Sequence, residues 1–193
     1  MTKTENASTK YDAILSAALR LFTTYGFQGS PTTRIAQKAG VATGTLFHYF
    51  QSKEALINAL YLSIKKQAAA ALESGLNEND AVSINLERLW TNTMSWILAH
   101  PMQHQFLIQF GNSTAISSLS KEQAMLESAF MIALVERGKR EGVIKDLPLE
   151  LIRELHLGLT RAAARYFLAH PTHFEDATQR SHAFEVYWNA LER

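Results

Sequence analysis

The chain has 193 residues, of which 47% are hydrophobic and 19% are charged, a balance that is typical of globular proteins and excludes overall disorder. It contains no cysteine, which excludes a disulfide framework, a thiolate metal site and a cysteine nucleophile. The net charge of +1 hides an asymmetry: residues 1–75 carry 8 basic and 4 acidic side chains, whereas the rest carry 11 and 14. A basic first third indicates a polyanionic partner for that part of the chain.

The start of the chain carries no targeting signal that we recognise. The first ten residues are polar and lack the apolar stretch of a secretory signal peptide. No apolar run approaches the ~20 residues that a membrane span requires. We therefore expect a soluble, cytoplasmic protein without a membrane partner.

Apolar residues recur at helical spacing and strand-like alternation is nearly absent, which predicts an all-α fold of about nine helices. In the first part of the chain, helices are expected over residues 9–25, 31–39, 43–49 and 53–73. We expect Thr9, Ser30 and Ser52 to cap three of these helices, because a hydroxyl oxygen can accept a first-turn N–H. Gly26 follows the first helix, where a left-handed glycine is common.

The rest of the chain predicts five more helices, over residues 80–100, 101–110, 120–141, 148–169 and from about 172 to the end. Gly111–Leu119 is small and polar, so a loop is expected there. Ser120 and Thr172 each begin a capping-box pattern, which predicts a helix start at both positions. Gly142 is expected to close the 120–141 helix.

Two short helices joined by a glycine-containing turn are the core of a helix-turn-helix motif. Apolar residues offer an inner surface to both helices: Ile35, Ala36, Ala39, Val41, Leu46 and Phe50. The other face of the second helix carries hydroxyls and polar-tipped rings, which suit contacts with base edges, thymine methyls and phosphates. These are Thr43, Thr45, His48 and Tyr49.

The stretch PTTRIAQKAGVATGTLFHYFQSKEAL resembles the DNA-binding signature of the TetR (tetracycline-repressor-like) family of transcriptional regulators. The elements I-A-x-x-A-G-V, G-T-L-F-H-Y-F and S-K-E-A-L occur in the same order over about residues 30–56. The C-terminal two-thirds resembles the family only in length and helical content. The resemblance implies a three-helix DNA-binding domain over 1–52, a linking helix over 53–74, and a ligand-binding and dimerisation domain over 75–193.

The resemblance also implies a set of DNA-contacting residues, in which the second short helix reads the major groove and Lys53 clamps a phosphate. Two of them have alternatives: Phe47 could instead pack in the core, and His48 could be a solvated histidine. The residues implied in this way are Thr33, Thr43, Gly44, Thr45, Phe47, His48, Tyr49 and Lys53; to them we add Thr32, beside Thr33, as a phosphate contact and Arg34 as a candidate guanine contact.

The motif departs from the family at Ala42, where many members carry a capping serine. Alanine is a poor N-cap, at a cost of roughly 1 kcal/mol, so we expect a slightly frayed start to the recognition helix. The recognition face also lacks Arg and Lys. Bidentate guanine contacts would therefore have to come from Arg34, Lys3 or Lys10.

The helix predicted over 148–169 carries a narrow charged stripe beside a wide apolar arc. The stripe consists of Glu150, Glu154, Arg161 and Arg165. With the last helix, the arc predicts a four-helix bundle between two copies, and the alternative is a large core within one chain. The candidate interface residues are Leu155, Leu159, Ala162, Tyr166, Phe184, Tyr187, Trp188 and Leu191.

Methionines and aromatic residues on the middle helices suit a cavity for a small, largely apolar ligand, although each could be ordinary core. The candidates are Trp90, Met94, Gln103, Phe106, Phe110, Met125, Phe130 and His156. Two histidine pairs, His100 with His104 and His170 with His173, have spacings that can hold a metal. A proline breaks the helix in each pair and no third ligand is placed, so we expect no metal and no cofactor.

These features lead us to expect a ligand-responsive repressor that binds a near-palindromic double-stranded DNA operator as a homodimer. Activation and ligand-independent regulation remain alternatives, and a helical protein-binding adaptor is a further one. No phosphate loop, di-iron ExxH pair or nucleophile motif supports an enzyme.

Overall fold

The computed structural model describes the backbone of residues 3–193 and the side chains from Thr9 onward. This part of the chain confirms the predicted all-α fold, and its one extended pairing is an isolated bridge between Ile144 and Glu192. The helices are α1 (Lys3–Tyr25), α2 (Thr32–Lys38), α3 (Thr43–Tyr49), α4 (Lys53–Glu73), α5 (Val82–Ala99), α6 (Pro101–Phe110), α7 (Ser118–Leu126), α8 (Ala129–Arg140), α9 (Leu149–Ala169), α10 (Pro171–Glu175) and α11 (Ala177–Leu191).

The helices divide into two compact units. Unit 1 contains the chain up to Lys66 together with Met102–Leu126, and unit 2 contains Gln67–Pro101 and Glu127–Arg193. Helices α6 and α7 therefore pack with the first helices, although they lie far along the sequence. The functional boundary near residue 75 stays a prediction, because it was based on family resemblance rather than on packing.

Unit 1 is built around apolar side chains that α1 to α4 and α6 turn inward. Phe22, Ile35, Leu46, Leu56 and Phe106 are all essentially inaccessible to solvent. The centre of the Phe110 ring lies 6.2 Å from the centre of the Phe22 ring and 4.9 Å from the centre of the Phe106 ring. Burial of each such side chain contributes about 1.5–3 kcal/mol, which is what holds helices as short as α2 and α3 in place.

Unit 2 buries Trp90 of α5 against helices α9 and α11. Its ring lies 6.4 Å from that of Phe167 and 5.9 Å from that of Phe184. Gly138 lets α8 pack closely against the side chain of Ile144, because a Cβ atom at position 138 would lie 2.5 Å from the Cδ1 atom of Ile144. The side chain of Asn85 is buried and forms two hydrogen bonds with the backbone of Asn77: it accepts from the Asn77 N–H and donates to the Asn77 carbonyl. These bonds hold the α4–α5 connection against α5.

Several predicted helix ends in unit 1 are confirmed and two are wrong. Ser52 Oγ accepts from the Ala55 N–H at 3.1 Å, and Gly26 has the expected positive φ of 72°. Helix α1 begins at Lys3 rather than at Thr9, because no proline or glycine in residues 3–8 interrupts it. Ser30 does not cap α2, since its hydroxyl donates to the Gly26 carbonyl at 2.8 Å and Pro31 occupies the N-cap.

Both capping-box predictions are wrong, and the described residues form eleven helices instead of nine because the predicted 120–141 helix and the predicted last helix are each interrupted once. Helix α7 begins at Ser118, and Ser117 Oγ accepts from the Ser120 N–H at 3.1 Å as its cap. The predicted 120–141 helix is interrupted between α7 and α8. Thr172 lies inside the short helix α10, and Asp176 caps α11 by accepting from the N–H groups of Thr178 and Gln179.

Candidate DNA-binding surface

The turn between α2 and α3 is set by Gly40 and by hydrogen bonds around it. Gly40 has a φ of 68°, which side-chain-bearing residues rarely adopt. The N–H of Gly40 donates to Gln37 and that of Val41 to Ala36, so the last carbonyls of α2 are satisfied. Ala42 then has extended geometry and supplies no side-chain cap to α3, as the sequence predicted.

The inner surface of α3 is buried and anchors the helix to unit 1. Leu46 has no solvent exposure, and Phe50 at the C-terminal end is almost as buried. The Phe50 ring lies 5.1 Å from that of Tyr11 on α1. This packing leaves the opposite face of α3 in a defined orientation.

That opposite face is accessible, which is what a DNA-reading helix requires. Phe47 is 43% exposed, so within this chain it is not a core residue. The exposed members of the predicted set are Thr33, Arg34, Gly44, Phe47 and His48, and the half-buried members are Thr32, Thr43, Thr45, Tyr49 and Lys53. The ring of Tyr49 lies 6.1 Å from that of Tyr11, which restricts its rotation.

Two cations of the set are held over aromatic rings. The Nζ atom of Lys53 lies 4.4 Å from the centre of the Phe27 ring, and the Cζ atom of Arg34 lies 4.1 Å from that of Tyr25. Burial lowers the pKa of Lys53 from its ordinary value, and the neighbouring charge of Glu54 opposes that shift. Sequence reasoning gave no functional role to Tyr25, the last residue of α1, or to Phe27, although two aromatic residues on either side of the helix-ending Gly26 were a visible signal.

Of the other cations considered for guanine contacts, Lys10 is exposed on α1. The Lys3 side chain lies outside the described residues. The contact with Tyr25 uses the face of the Arg34 guanidinium, so it leaves the in-plane N–H groups available for a bidentate guanine contact.

The described geometry agrees with comparisons to known proteins. The family model for bacterial regulatory proteins of the tetR family matches residues 14–60. A solved structure of a tetR family transcription regulator from Shewanella sp. PV-4 is 36% identical to this chain, with a TM-score of 0.87, and the alignment covers 95% of this chain and 98% of that one. The chain belongs to the TetR family.

Two relatives named as HTH-type transcriptional regulators extend the comparison. The transcriptional repressor AcnR of Corynebacterium diphtheriae is 26% identical over 155 residues, which cover 80% of this chain and 70% of AcnR. The regulator RutR of Escherichia coli is 47% identical over 60 residues, or 31% of this chain and 26% of RutR. This TetR-family chain is therefore a helix-turn-helix DNA-binding transcriptional regulator and not an enzyme.

The candidate ligand residues are distributed over both units. In unit 1, Phe106 and Phe110 are packed core residues, Gln103 is half-buried and Met125 is 59% exposed. In unit 2, Trp90 and Met94 are buried, and Phe130 is half-buried. Of the eight ligand candidates, Trp90 lines a groove of about 370 Å³ between α9 and α11.

The remaining ligand candidate, His156, forms a pair within unit 2. Its Nδ1 atom lies 2.9 Å from the Tyr187 hydroxyl oxygen. Burial lowers the pKa of His156 to about 4 and raises that of Tyr187 above its ordinary value. In the folded protein, the His156 side chain is therefore neutral at physiological pH.

The candidate dimer residues divide into accessible and buried groups. Tyr187 and Leu191 are buried within the single chain, which fits the intrachain alternative for these two side chains. The others keep accessible surface: Leu155, Leu159, Ala162, Tyr166, Phe184 and Trp188. Leu159, Ala162 and Tyr166 also line the groove above Trp90.

The paired histidines interact with their neighbours. The rings of His170 and His173 stack with centres 5.2 Å apart, and His173 Nδ1 lies 2.7 Å from the Tyr166 hydroxyl. Within the described part of the chain, no three His, Cys, Asp or Glu side chains form a metal-binding group.

None of the described helices is both long and apolar enough to cross a bilayer.

Proposed function

We propose that this TetR-family protein is a repressor that binds a near-palindromic operator as a homodimer and is released by a small, largely apolar ligand. The observation that supports it best is the division of α3 between a fully buried Leu46 and an accessible polar face. One such helix reads too few base pairs for a unique site. Two, related by a two-fold axis, would read half-sites about 34–36 Å apart.

Specific roles follow for the surface of unit 1. Thr43, Gly44 and Thr45 would enter the major groove at the start of α3, where a recognition helix contacts base edges. His48 would contact a base or a phosphate, and Lys53 a phosphate. The relative named as a repressor supports repression rather than activation.

Release by a ligand is supported by an unsatisfied donor in unit 2. The buried Nε1–H of Trp90 has no hydrogen-bond partner among the described residues, and Trp90 lines the groove between α9 and α11. An unpaired buried donor costs about 1–3 kcal/mol. Because this N–H is buried, an apolar ligand with one carbonyl oxygen would pair with it only in a conformer that opens the groove down to the indole, and ligand binding would favour that conformer.

The first experiment is selection of bound duplexes from a random double-stranded DNA pool at near-physiological salt. An enriched two-fold motif is the expected result. Recovery of unspecific DNA by a well-folded dimer would contradict operator recognition, and failure to bind any DNA would favour the adaptor alternative. A reporter carrying the selected motif upstream of a promoter then separates repression from activation.

Ligand release is tested on the operator complex with two apolar probes of the same chain length, a methyl ketone and the alkane that lacks its carbonyl oxygen. The ketone is expected to weaken operator binding of the wild type, and Trp90→Phe is expected to reduce that effect while leaving DNA binding without ligand intact. Equal insensitivity of both proteins to both probes would favour ligand-independent regulation.

A further inference from the structure

The charged stripe of α9 has a symmetric arrangement that DNA binding does not explain. We infer that α9 packs antiparallel against α9 of a second copy, in a register where Glu150 faces the partner's Arg165 and Glu154 faces the partner's Arg161. The inference rests on the homodimer of the proposed function and specifies how its two copies align.

The first observation is that the four charges share one exposed flank. Glu150, Glu154, Arg161 and Arg165 are all exposed on α9. At 100° per residue they fall within about 60° of the helix circumference. Both acids lie in the N-terminal half of α9 and both bases lie in the C-terminal half.

The second observation is that the charges are equidistant from one point. Glu154 and Arg161 lie at equal distances on either side of the midpoint between Leu157 and Gly158, at about 5 Å along the axis. Glu150 and Arg165 are also equidistant from it, at about 11 Å. A two-fold axis through that point, perpendicular to an antiparallel pair, brings equivalent flanks together and places each acid opposite a base.

The third observation is that the midpoint is open to close approach. Gly158 is exposed, and a Cβ added there would meet no heavy atom within 4 Å. Its neighbour Leu157 is 44% exposed, and Leu151, about two turns earlier on α9, is 45% exposed. A small residue at the crossing point, flanked by accessible leucines, suits the packing of two helices at short distance.

Within one chain the stripe has little use. Arg161 and Arg165 form no ion pair with any residue in the described part of the chain, and Glu154 pairs with Arg153 at 3.1 Å between two largely exposed side chains. An exposed pair of that kind contributes little. Like charges four residues apart, as in both halves of the stripe, destabilise an isolated helix.

Complementation of the helix dipole also favours acids early and bases late in α9. The helix dipole does not require the acids and the bases to lie at equal distances on either side of the midpoint between Leu157 and Gly158. The two explanations predict different behaviour when the charges are exchanged, and the test uses that difference.

The experiment mixes two full-length variants that carry different tags. Glu150→Arg with Glu154→Arg makes the stripe wholly basic, and Arg161→Glu with Arg165→Glu makes it wholly acidic. Each alone is expected to dissociate about tenfold more readily than the wild type, because all its facing charges are alike. Mixed in equal amounts, they should form heterodimers to about nine-tenths of the total by native mass spectrometry, against half for random pairing.

A four-residue exchange that combines all these substitutions is the matched control. It keeps composition, net charge and the inferred pairing, so it should dimerise as the wild type does, although it opposes the helix dipole. Far-ultraviolet circular dichroism checks that each variant is helical. If this exchange variant dimerises as poorly as the double variants, or if the mixture pairs at random, the register is wrong.

Failure of the register is distinguishable from failure of the proposed function. Wild-type dimers that bind a two-fold operator, with variants that pair at random, would overturn the register alone. A monomeric wild type would overturn both the register and the dimeric reader.

Discussion

The side chain of Asn58 is hydrogen-bonded to the backbone around Ser117, which lies on the connection between α6 and α7. Asn58 Nδ2 donates to the Ala115 carbonyl at 3.0 Å, and its Oδ1 accepts from the Ser117 N–H at 2.9 Å. One amide thereby fixes the long α4 helix, which begins at Lys53, to a segment remote in sequence. Nothing in the sequence pattern pointed to this pairing.

Asn58→Ala should lower the free energy of unfolding by about 1–3 kcal/mol, because both long-range hydrogen bonds are lost and each contributes about 0.5–1.5 kcal/mol. Urea unfolding of the full-length protein measures the change. Asn112→Ala is the matched control, since Asn112 is exposed on the same connection and should unfold as the wild type does. Equal stability of all three proteins would contradict a structural role for the amide.

Lys53→Ala should weaken binding to every duplex by about tenfold and reduce the salt slope of binding by about 1, because one phosphate contact is lost. Lys66→Ala removes the same charge from an exposed position about 20 Å further along α4. Operator titrations at several salt concentrations compare the two. If Lys66→Ala changes the slope as much as Lys53→Ala does, the effect is one of net charge.

Ala42→Ser should stabilise the start of α3 by about 1 kcal/mol and strengthen operator binding modestly. Ala42 has the extended backbone geometry of an N-cap, and serine would supply the missing acceptor. Ala81→Ser makes the same change at the uncapped start of α5, where it should stabilise that helix without changing the affinity for DNA. A gain in DNA affinity from both would argue against preordering of the recognition helix.

Protonation of His156 should destabilise the protein in acid. Its folded pKa of about 4 lies below the ordinary value of 6.5, so the unfolded chain binds the proton more readily. Stability is therefore lost as pH falls from about 6.5 to about 4, and between pH 8 and pH 5 the loss from this group is about 2 kcal/mol.

Urea unfolding at the two pH values measures this dependence. His156→Gln should flatten it, because glutamine does not titrate, whereas His182→Gln at an exposed site should retain the wild-type difference. A His156→Gln protein with the full acid sensitivity of the wild type would locate the titrating group elsewhere.

Local patterns in the sequence determined the elements and the DNA-reading motif. The apolar spacing of α1 to α4, the glycine at position 40 and the missing cap at Ala42 each act within a turn or two of helix, so a short stretch contains their causes. The capping boxes at Ser120 and Thr172 failed for a related reason. Ser117 and Asp176 offered competing acceptors a few residues away, and pattern alone does not rank such neighbours.

Only the tertiary structure decided how distant residues are used. Tyr187 and Leu191 share a helical face with Trp188, yet two are buried in the chain and one remains accessible, because neighbouring helices cover that face unevenly. The same holds for Phe47, for which the sequence left core packing as an alternative to DNA contact and which the structure leaves exposed. A single sequence specifies which side chains are apolar, but burial depends on packing between segments far apart in the chain.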